Sequence, residues 1–416
     1  MADIPRIPDV DSSLALLREG YPFISSRCRA LGTDVFQVRL LMQDTICMTG
    51  EDAAKLFYDE RLFQRRHAAP RMLQKTLFGQ GGVQGLDDER HKQRKRMFMS
   101  LLTDGAVHDL VKLTERNWQD AIPGWAGRER ITLLPEVQAI LARSVCEWAG
   151  VPVTADELPV RRDQLAALID GAGGIGARHW KARKARREAE SWLVTLISEV
   201  RSGSVALDES RALAVVARHR DADGQPLDEK TAAVEMLNLL RPTVAVARFV
   251  IYAALELLAH PQWRARLQQD DDMLEPFAQE VRRLHAFFPF TAARVREDFE
   301  WRGYLFPKGT RVLLDLYGTN RDERLWENPE EFRPERFHEW NKGAFNFITQ
   351  GGGDAATGHR CPGEPLAIAL LMAALRMLTR HMDYAVPAQE LQMAPSRMPA
   401  QPESLFIIAD VRERRA

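Results

Sequence analysis

A glycine-rich loop that ends in a single cysteine constrains this chain more than any other feature. The loop, FITQGGGDAATGHR, occupies residues 347–360, Cys361 follows it, and the segment Pro365–Leu375 is apolar. Glycines let the backbone approach a flat cofactor closely, and the loop amides and the start of a helix at Pro362 favour a thiolate. The arrangement is typical of a cysteine presented to haem iron. A lone cysteine without further support is more often a buried structural residue.

Two segments upstream of this loop place charged residues in a fixed order. Glu280 and Arg283 are three residues apart, so on a helix they share a face and can pair. The segment 332–337, FRPERF, has the proline and the aromatic residues of a pinned, non-helical meander that can bring Arg336 to this pair. The sequence therefore predicts a three-member ion network that locks the cysteine loop.

In this order, the two segments and the cysteine loop resemble the cytochrome P450 superfamily, and the resemblance covers nearly the whole chain. It implies a mainly α fold with small β-sheets, the cytochrome P450 haem-thiolate fold. It also implies haem b as the cofactor, with Cys361 as the ligand of the iron. Because a thiolate ligand favours cleavage of a bound O–O bond, the expected chemistry is oxygen insertion and not oxygen carriage.

Length and composition agree with one large catalytic domain. The 416 residues contain no Pro/Gly/Ser-rich linker and no break in composition, so we predict a single haem-thiolate catalytic domain over residues 1–416. Hydrophobic residues make up 45% of the chain, which is enough for a sizeable core. The net charge of −1 gives no general attraction for nucleic acid, and no such partner is expected.

The cysteines and the N-terminus bear on the cellular compartment. The four cysteines, at positions 28, 47, 146 and 361, show no metal-finger or disulfide-framework spacing, which favours a reducing cytoplasm. The first residues lack the regions of a signal peptide, and the apolar segment after the cysteine is too short to cross a bilayer. We therefore expect a cytoplasmic protein without a membrane anchor.

Periodicity and breaker residues predict a coarse order of elements. Short strands are expected near residues 35–48, helices from there to about residue 290, and a long final helix after the cysteine. Helix breaks are predicted at Pro123, at Pro152 and at residues 221–226.

The pattern changes after residue 290. The segments Phe299–Trp301 and Arg311–Leu316 have the composition of short strands, and Pro307–Gly309 lies between them. We predict that these two segments pair with each other across that turn.

Four basic residues are candidates for contacts with the haem propionates. His91 and Lys95 are four apart on a predicted helix, so both can donate to one anionic group. In the superfamily, a histidine and a basic residue one turn on hold a propionate from this helix, and His359 matches another donor. Arg294 is a further candidate. Without the cysteine loop, His91 and Lys95 would be interpreted as an ordinary exposed basic face.

The segment 234–252 departs most from the general superfamily pattern. Most members have an acid–alcohol pair here that relays protons to dioxygen, whereas this chain has Arg241 and Pro242. A proline inside a helix removes an N–H group and kinks the helix, which can open room above the iron. A buried arginine needs an anionic partner, and the segment supplies no carboxylate one turn away. The alternative is that Arg241 and Arg248 form a solvent-facing stripe of an amphipathic helix.

The Arg-Pro pair and the Gln-Gly-Gly-Gly-Asp insertion in the cysteine loop are similar to the fatty-acid peroxygenase branch of the superfamily. This resemblance implies an enzyme that uses hydrogen peroxide to oxidise fatty acids at Cα or Cβ, by hydroxylation and with some decarboxylation to a terminal alkene. Arg241 would bind the substrate carboxylate, which would act as the general acid–base. Since the longer loop alters the surface on which electron-transfer partners dock, no dedicated redox partner is expected.

The same resemblance assigns further residues to the distal pocket. Gln84 matches a position at which the branch carries Gln or His, and it joins the Arg-Pro pair as a catalytic candidate. Because an amide does not readily donate a proton, hydroxylation is favoured over decarboxylation. Phe78, Phe288 and Phe290 are candidates for the apolar walls of the substrate site. The alternatives are a surface glutamine and core phenylalanines.

Two other functions stay open at this point. A conventional oxygen-dependent monooxygenase with an external reductase or ferredoxin is opposed by the missing acid–alcohol pair. A non-catalytic haem-binding sensor is opposed by the single uninterrupted domain without an output segment.

Overall fold

Helices predominate in the computed structural model, which describes residues 3–394 and 396–414. The helices are α1 (Ser13–Glu19), α2 (Phe23–Leu31), α3 (Glu51–Phe57), α4 (Arg71–Leu73), α5 (Asp88–Leu101), α6 (Asp104–Ala126), α7 (Leu133–Ala149), α8 (Leu158–Asp170), α9 (Ala177–Ser202), α10 (Ala212–Arg218), α11 (Glu229–Ala245), α12 (Ala247–Ala259), α13 (Gln262–Gln269), α14 (Leu274–Leu284), α15 (Leu316–Thr319), α16 (Arg336–Glu339) and α17 (Glu364–Arg376). The strands are β1 (Val35–Leu40), β2 (Gln43–Met48), β3 (Phe63–Gln64), β4 (Arg130–Thr132), β5 (Phe290–Val295), β6 (Phe299–Trp301), β7 (Tyr304–Phe306), β8 (Arg311–Asp315), β9 (Met382–Ala385) and β10 (Ile407–Glu413). The predicted mainly α fold with small sheets is confirmed.

The strands form small sheets beside the helices. One sheet has the order β1-β2-β8-β5-β3, with β2 and β8 parallel, and a second has the order β4-β10-β9. The hairpin of β1 and β2 lies where the sequence predicts strands.

The predicted pairing of Phe299–Trp301 with Arg311–Leu316 is wrong. β6 pairs with β7, and β8 pairs with β2 and β5. The reason is the two-residue turn between β6 and β7, where Arg302 and Gly303 both have positive φ, at 53° and 79°. Turns of that kind match the twist of the strands and close a tight hairpin, which leaves β8 for the larger sheet.

Two of the three predicted helix breaks are loops in the structure, and one is wrong. Pro152 and the segment 221–226 lie between helices, whereas Pro123 lies inside α6. The side chains of Ile122 and Trp125, on either side of this proline, are buried in the main core. Packing of the last turn therefore outweighs the cost of the proline.

The central helices α11 and α12 run through the main hydrophobic core. α11 packs against α7, α8 and α9, and nearly all of its side chains between Ala232 and Val244 are buried. The stretch 229–259 is long and apolar enough to cross a membrane by length and composition, but 67% of its apolar window is buried inside the protein. It is therefore a core helix.

The central helix is interrupted one turn after Pro242. α11 ends at Ala245 and α12 begins at Ala247, and the amide of Val246 donates to the carbonyl of Thr243 over 3.2 Å instead of to the residue four back. Val246 itself keeps helical φ and ψ of −56° and −25°, so the hydrogen-bond pattern changes here, and the kink predicted at Pro242 stays a prediction.

The ion network predicted from the two upstream segments is present. Arg283 donates to both carboxylate oxygens of Glu280 over 2.7 and 2.8 Å, and Nε of Arg336 donates to one of them over 3.1 Å. Arg283 also donates to backbone carbonyls in the segment 320–331. The network therefore fixes the meander, and the cysteine loop is held by a different residue, described below.

Candidate active site

The cysteine loop folds into a tight turn that places Cys361 just before α17. The amide of Cys361 donates to the carbonyl of Gln350 over 2.9 Å, which closes the loop. Gly351 and Gly353 have φ of +103° and +82°, and a Cβ on Gly351 would lie 3.1 Å from Cα of Arg360. The glycines therefore allow a close approach of two backbone segments that side chains would prevent.

Arg282 ties this loop to the rest of the site, and the sequence analysis did not identify it. Its buried guanidinium on α14 donates to Thr349 and Gln350, both over 2.9 Å, and pairs with Glu364 at the start of α17. Arg360 donates to the other oxygen of Glu364 over 2.7 Å. The sequence signal for Arg282 was its position next to Arg283. In the structure, Arg282 pairs with Glu364 and Arg283 with Glu280.

Burial raises the pKa of the Cys361 thiol, although the amide of Gly363 and the charge of Lys95 act in the opposite direction. This net direction is the reverse of the sequence expectation. One reason is that α17 begins at Glu364 and not at Pro362, and the carboxylate of Glu364 itself raises the pKa of the thiol. Coordination to a metal cation deprotonates a thiol outright, so the environment suits a metal-bound cysteine better than a free thiolate.

His91, Lys95 and His359 come together beside the cysteine loop. The rings of His91 and His359 stack with their centroids 4.0 Å apart. Nζ of Lys95 donates to the carbonyl of Gly358 over 2.9 Å and also to that of Arg360. Burial lowers the pKa of His91 to about 4, with a further lowering by the charge of Lys95, and burial lowers the pKa of Lys95 to about 8 although the charges of Cys361, Asp354 and Glu60 act to raise it.

Arg65 completes this basic cluster and was also missed by the sequence analysis. Only 8% of the residue is exposed, and its guanidinium donates to the carbonyl of Ala292 over 2.8 Å. After burial, the charge of Arg65 is among the causes that lower the pKa of His359 and of His91. A single arginine outside any motif gave no signal in the sequence.

The basic cluster fits an anionic cofactor. Buried cations need anionic partners, and the carboxylates beside the cluster are those of Asp87, 3.8 Å from His359, and Glu60, within 4.8 Å of both histidines. The two propionates of a haem would supply further negative charge here, while Cys361 lies at the end of the same loop. The residues present therefore fit a haem.

Arg294 lies outside this cluster, contrary to the prediction. Its guanidinium donates to the carbonyls of His67 and Gly309 over 2.8 and 2.7 Å and to Oε1 of Gln43 over 3.2 Å. Its neighbours Ala293 and Val295 on β5 are fully buried, so the alternation of the strand directs Arg294 to the other face of the sheet.

Arg241 is a buried residue of α11. Its guanidinium donates to the carbonyl of Leu77 and to Oδ1 of Asn238, the latter over 3.3 Å, and no carboxylate lies within 4.0 Å of it among the described residues. Burial lowers the pKa of Arg241 to about 9, while the charge of Cys361 acts to raise it. The charge of Glu235 also acts to raise this pKa, and the charge of Arg186 acts to lower it.

The alternative of a solvent-facing stripe is wrong. Arg241 and Arg248 are only 6% and 2% exposed. Arg248 has its own partners, Asp170 and Gln401, whereas Arg241 has backbone and amide acceptors only among the described residues.

Hydrogen bonds of Asn238 connect Gln84 to Arg241. Nδ2 of Asn238 donates to Oε1 of Gln84 over 3.2 Å and to Oε2 of Glu235 over 2.8 Å. Glu235 is fully buried and pairs with Arg94 of α5, and burial raises the pKa of its carboxyl. Glu235 and Asn238 were missed, although Asn238 stands three residues before Arg241 and Glu235 three before Asn238, a spacing that makes each successive pair neighbours on a helix.

The three phenylalanines predicted as apolar walls of the substrate site lie in different parts of the structure. Phe78 is half-buried at the end of the π-helical turn Gln74–Phe78, directly after Leu77. Phe288 forms a T-shaped pair with Phe287, and Phe287 contacts Phe249 of α12. Phe290 is half-buried and packs against the small core between α2 and the five-stranded sheet, which favours the core alternative for this residue.

Comparison with known proteins identifies the family. The family model described as Cytochrome P450 matches residues 176–408. The chain belongs to the cytochrome P450 family. The putative cytochrome P450 138 of Mycobacterium tuberculosis is 24% identical over 88% of this chain and 87% of its own length. Rhazimal synthase of Alstonia scholaris is 30% identical over 59% of this chain, and the match spans only about half, 52%, of that protein.

Solved cytochrome P450 structures are similar over almost the full length. Cytochrome P450SP alpha (CYP152B1) in complex with (R)-ibuprophen has a TM-score of 0.95 and 46% identity, covering 97% of this chain and 99% of that one. Cytochrome P450EX alpha (CYP152N1) with myristic acid has a TM-score of 0.96 and 41% identity, covering both chains fully. Ligand-free cytochrome P450 OleT has a TM-score of 0.97 and 32% identity over 99% of this chain and 100% of that one. The predicted cytochrome P450 fold is confirmed, and the cofactor of this cytochrome P450 is a haem.

Proposed function

We propose that this cytochrome P450 is a hydrogen-peroxide-dependent oxidoreductase that oxidises fatty acids at Cα or Cβ. The observation that carries the proposal is Arg241, a buried cation on the central helix without a carboxylate partner among the described residues. A buried guanidinium of this kind is a receptor for an anion, and a carboxylate matches its planar fork.

The cofactor is proposed to be haem b, with Cys361 as the ligand of its iron. His91, Lys95, His359 and Arg65 are the residues proposed to hold the propionates, because they are basic and adjacent, and all are buried except the half-buried His359. When bound through a thiolate, a haem supplies the cleavage of a peroxide O–O bond and the oxidation of a C–H bond.

Arg241 is proposed to bind and orient the substrate carboxylate. The described part of α11 has no acid–alcohol pair of its own near this position, so the carboxylate itself would carry the proton as general acid–base. Because the carboxylate is fixed, the neighbouring Cα and Cβ are the carbons held beside the reaction centre. Pro242 is proposed to kink the helix next to this site, and Gln84 contacts Asn238 at its edge.

The apolar part of the substrate is proposed to lie against Phe78 and Phe288. Both are half-buried, as a channel wall requires, whereas Phe290 packs elsewhere. Since the amide of Gln84 does not readily donate a proton, we propose hydroxylation as the main reaction and decarboxylation as the lesser one.

The structural neighbours support a carboxylic-acid substrate. Myristic acid, bound in the structure of cytochrome P450EX alpha, and (R)-ibuprophen, bound in that of cytochrome P450SP alpha, both carry a carboxyl group. We further propose that residues 1–416 form a single catalytic domain that works in the cytoplasm without a dedicated redox partner, because hydrogen peroxide supplies both the oxygen and the electrons.

The experiment that tests this proposal is a pair of turnover assays on the purified holoenzyme. We expect hydroxylation of a saturated fatty acid with hydrogen peroxide, and little product with oxygen, NAD(P)H, a reductase and a ferredoxin. A Cys361→Ser variant serves as the control for cofactor ligation, and it should lose both the thiolate-type carbonyl spectrum and the activity. Turnover that depends on the reductase system and not on peroxide would establish a conventional monooxygenase instead.

A further inference from the structure

A second arginine lies against Arg241 on a different helix. Nη1 of Arg186, on α9, donates to the carbonyl of Leu77 over 2.7 Å, and Nη1 of Arg241 donates to the same oxygen. Arg186 and Arg241 are only 3% and 6% exposed. Two buried cations on one oxygen repel each other, and after burial the charge of Arg186 is the next cause that lowers the pKa of Arg241.

Only one of these two arginines has a carboxylate partner among the described residues. Arg186 pairs with Glu190 on its own helix, with Nε and Oε1 2.6 Å apart. Arg241 has no carboxylate within 4.0 Å in the part of the chain that the structure describes. Glu235 acts on both arginines at longer range, but it is paired with Arg94, so the carboxylate of a ligand would be the first anion at hydrogen-bond distance from Arg241.

One nitrogen of the Arg186 guanidinium makes no hydrogen bond within the described residues. Its Nη2 is buried and has no hydrogen-bond partner there. It lies against Gly79, where a Cβ would be 2.1 Å from this nitrogen and 2.6 Å from Cγ1 of Val234 on α11. Gly79 has φ of +83°, so its lack of a side chain is what lets the guanidinium of Arg186 reach the wall that carries Arg241.

We propose that Arg186 is a second cation of the carboxylate site, so that the head group of the fatty acid is held between a guanidinium of α11 and one of α9. The proposal rests on the proposed function, because it assigns Arg186 to the carboxylate that Arg241 binds. A carboxylate beside the Leu77 carbonyl would accept from both guanidiniums and relieve their repulsion. Arg186 then determines selectivity for an acid over a neutral head group.

The test compares the binding of a saturated fatty acid and of the fatty alcohol of equal length to the holoenzyme by titration calorimetry. In Arg186→Gln we expect the Kd of the acid to rise about tenfold or more and the Kd of the alcohol to change less than about twofold. The matched control is Arg187→Gln, one residue further along α9 and exposed, which should change neither.

A second variant shifts the acid affinity in the opposite direction. Glu190→Gln removes the counter-charge of Arg186, so it should tighten the acid about threefold or more and leave the alcohol unchanged. This variant also decides the question if Arg186→Gln does not fold.

The proposal is overturned if Arg186→Gln weakens acid and alcohol equally, which is the result of a purely structural arginine. It is likewise overturned if Glu190→Gln leaves the acid affinity unchanged or lowers it. Failure of the proposed function has a different signature, since Arg241→Gln would then keep the preference for the acid.

Discussion

At the residue scale, the orientation of Arg241 depends on a side-chain amide. Asn238 donates through Nδ2 to the acceptor-only carboxylate of Glu235, so its Oδ1 is turned toward the guanidinium of Arg241. Glu235 is itself held by Arg94. A buried chain of polar contacts thus presents one fixed face of Arg241, which is what binding of a carboxylate requires.

We predict that Asn238→Leu weakens fatty-acid binding about five- to thirtyfold, corresponding to the loss of ~1–2 kcal/mol when a buried charged donor loses its acceptor. The fatty alcohol should bind with nearly unchanged affinity, because it does not depend on the guanidinium. Titration of the holoenzyme with both ligands measures this.

Gln84→Leu is the matched control for that prediction, since it removes the contact of Asn238 with the loop and keeps the contact with Arg241. Its effect on the acid should be smaller. An Asn238→Leu enzyme with the acid affinity of the natural protein would show that Arg241 is oriented by the Leu77 carbonyl alone.

Individual residues of the site could be predicted from sequence only where a motif carried them. The spacing of His91 and Lys95 predicted one shared side of a helix, and in the structure both lie beside the cysteine loop. Their role toward a propionate, and that of Arg241 toward a carboxylate, stay predictions. Arg65 and Arg186 come from segments far away in sequence, and isolated arginines are among the commonest surface residues. Only the tertiary contacts distinguish them.

At the element scale, hydrophobic pattern predicted the helices well and strand partners poorly. The apolar run of α11 and the segment of α17 are helices where expected. The pairing of β8 depends on the turn at Arg302–Gly303 and on a parallel partner more than 260 residues earlier, Thr45 opposite Arg311. Local patterns contain no information on such long-range pairing.

The cysteine loop depends on a buried carboxylate that joins two helices. Glu364 accepts from Arg282 and from Arg360. Burial raises the pKa of Glu364, but the two arginines lower it more, so the net shift is downward from its ordinary value of 4.5. A carboxyl with a lowered pKa in the folded state stabilises the fold above its unfolded pKa, and this contribution is lost as the pH falls.

We therefore predict that Glu364→Gln lowers the free energy of unfolding by ~1.5–3 kcal/mol at pH 7, because a charge-assisted hydrogen bond is lost in a buried site. The deficit should shrink as the pH falls below about 4.5, where the natural carboxyl is increasingly protonated in the unfolded chain. Denaturant unfolding of the holoenzyme followed by circular dichroism at several pH values provides the measurement.

Glu323→Gln, an exposed glutamate on the segment before the meander, is the control and should leave stability unchanged. A deficit in Glu364→Gln that stays constant from neutral to acidic pH would contradict an ionic role for Glu364 and indicate a packing role.

At the scale of the whole molecule, the site is assembled from distant elements. α5 supplies His91 and Lys95, α11 supplies Arg241, and the loop before α17 supplies Cys361, while the meander is fixed separately by its own ion network. The proposed haem side of the site and the proposed arginine side therefore come from different elements.

The central claim is that a carboxylate on Arg241, and not a protein side chain, handles the proton. The measurement that tests it most directly is oxidation of styrene by the holoenzyme with hydrogen peroxide, with and without carboxylic acids from acetate to hexanoate in size. Styrene has no carboxylate, and a short acid leaves room for it.

We predict almost no styrene oxidation with peroxide alone and clear oxidation when the short acid is added. In Arg241→Ala the acid should have no effect, and Arg241→Lys should recover only part of it, since an ammonium lacks the planar fork of the guanidinium. Equal rates of styrene oxidation with and without the acid would contradict the account, because protein groups would then be moving the proton.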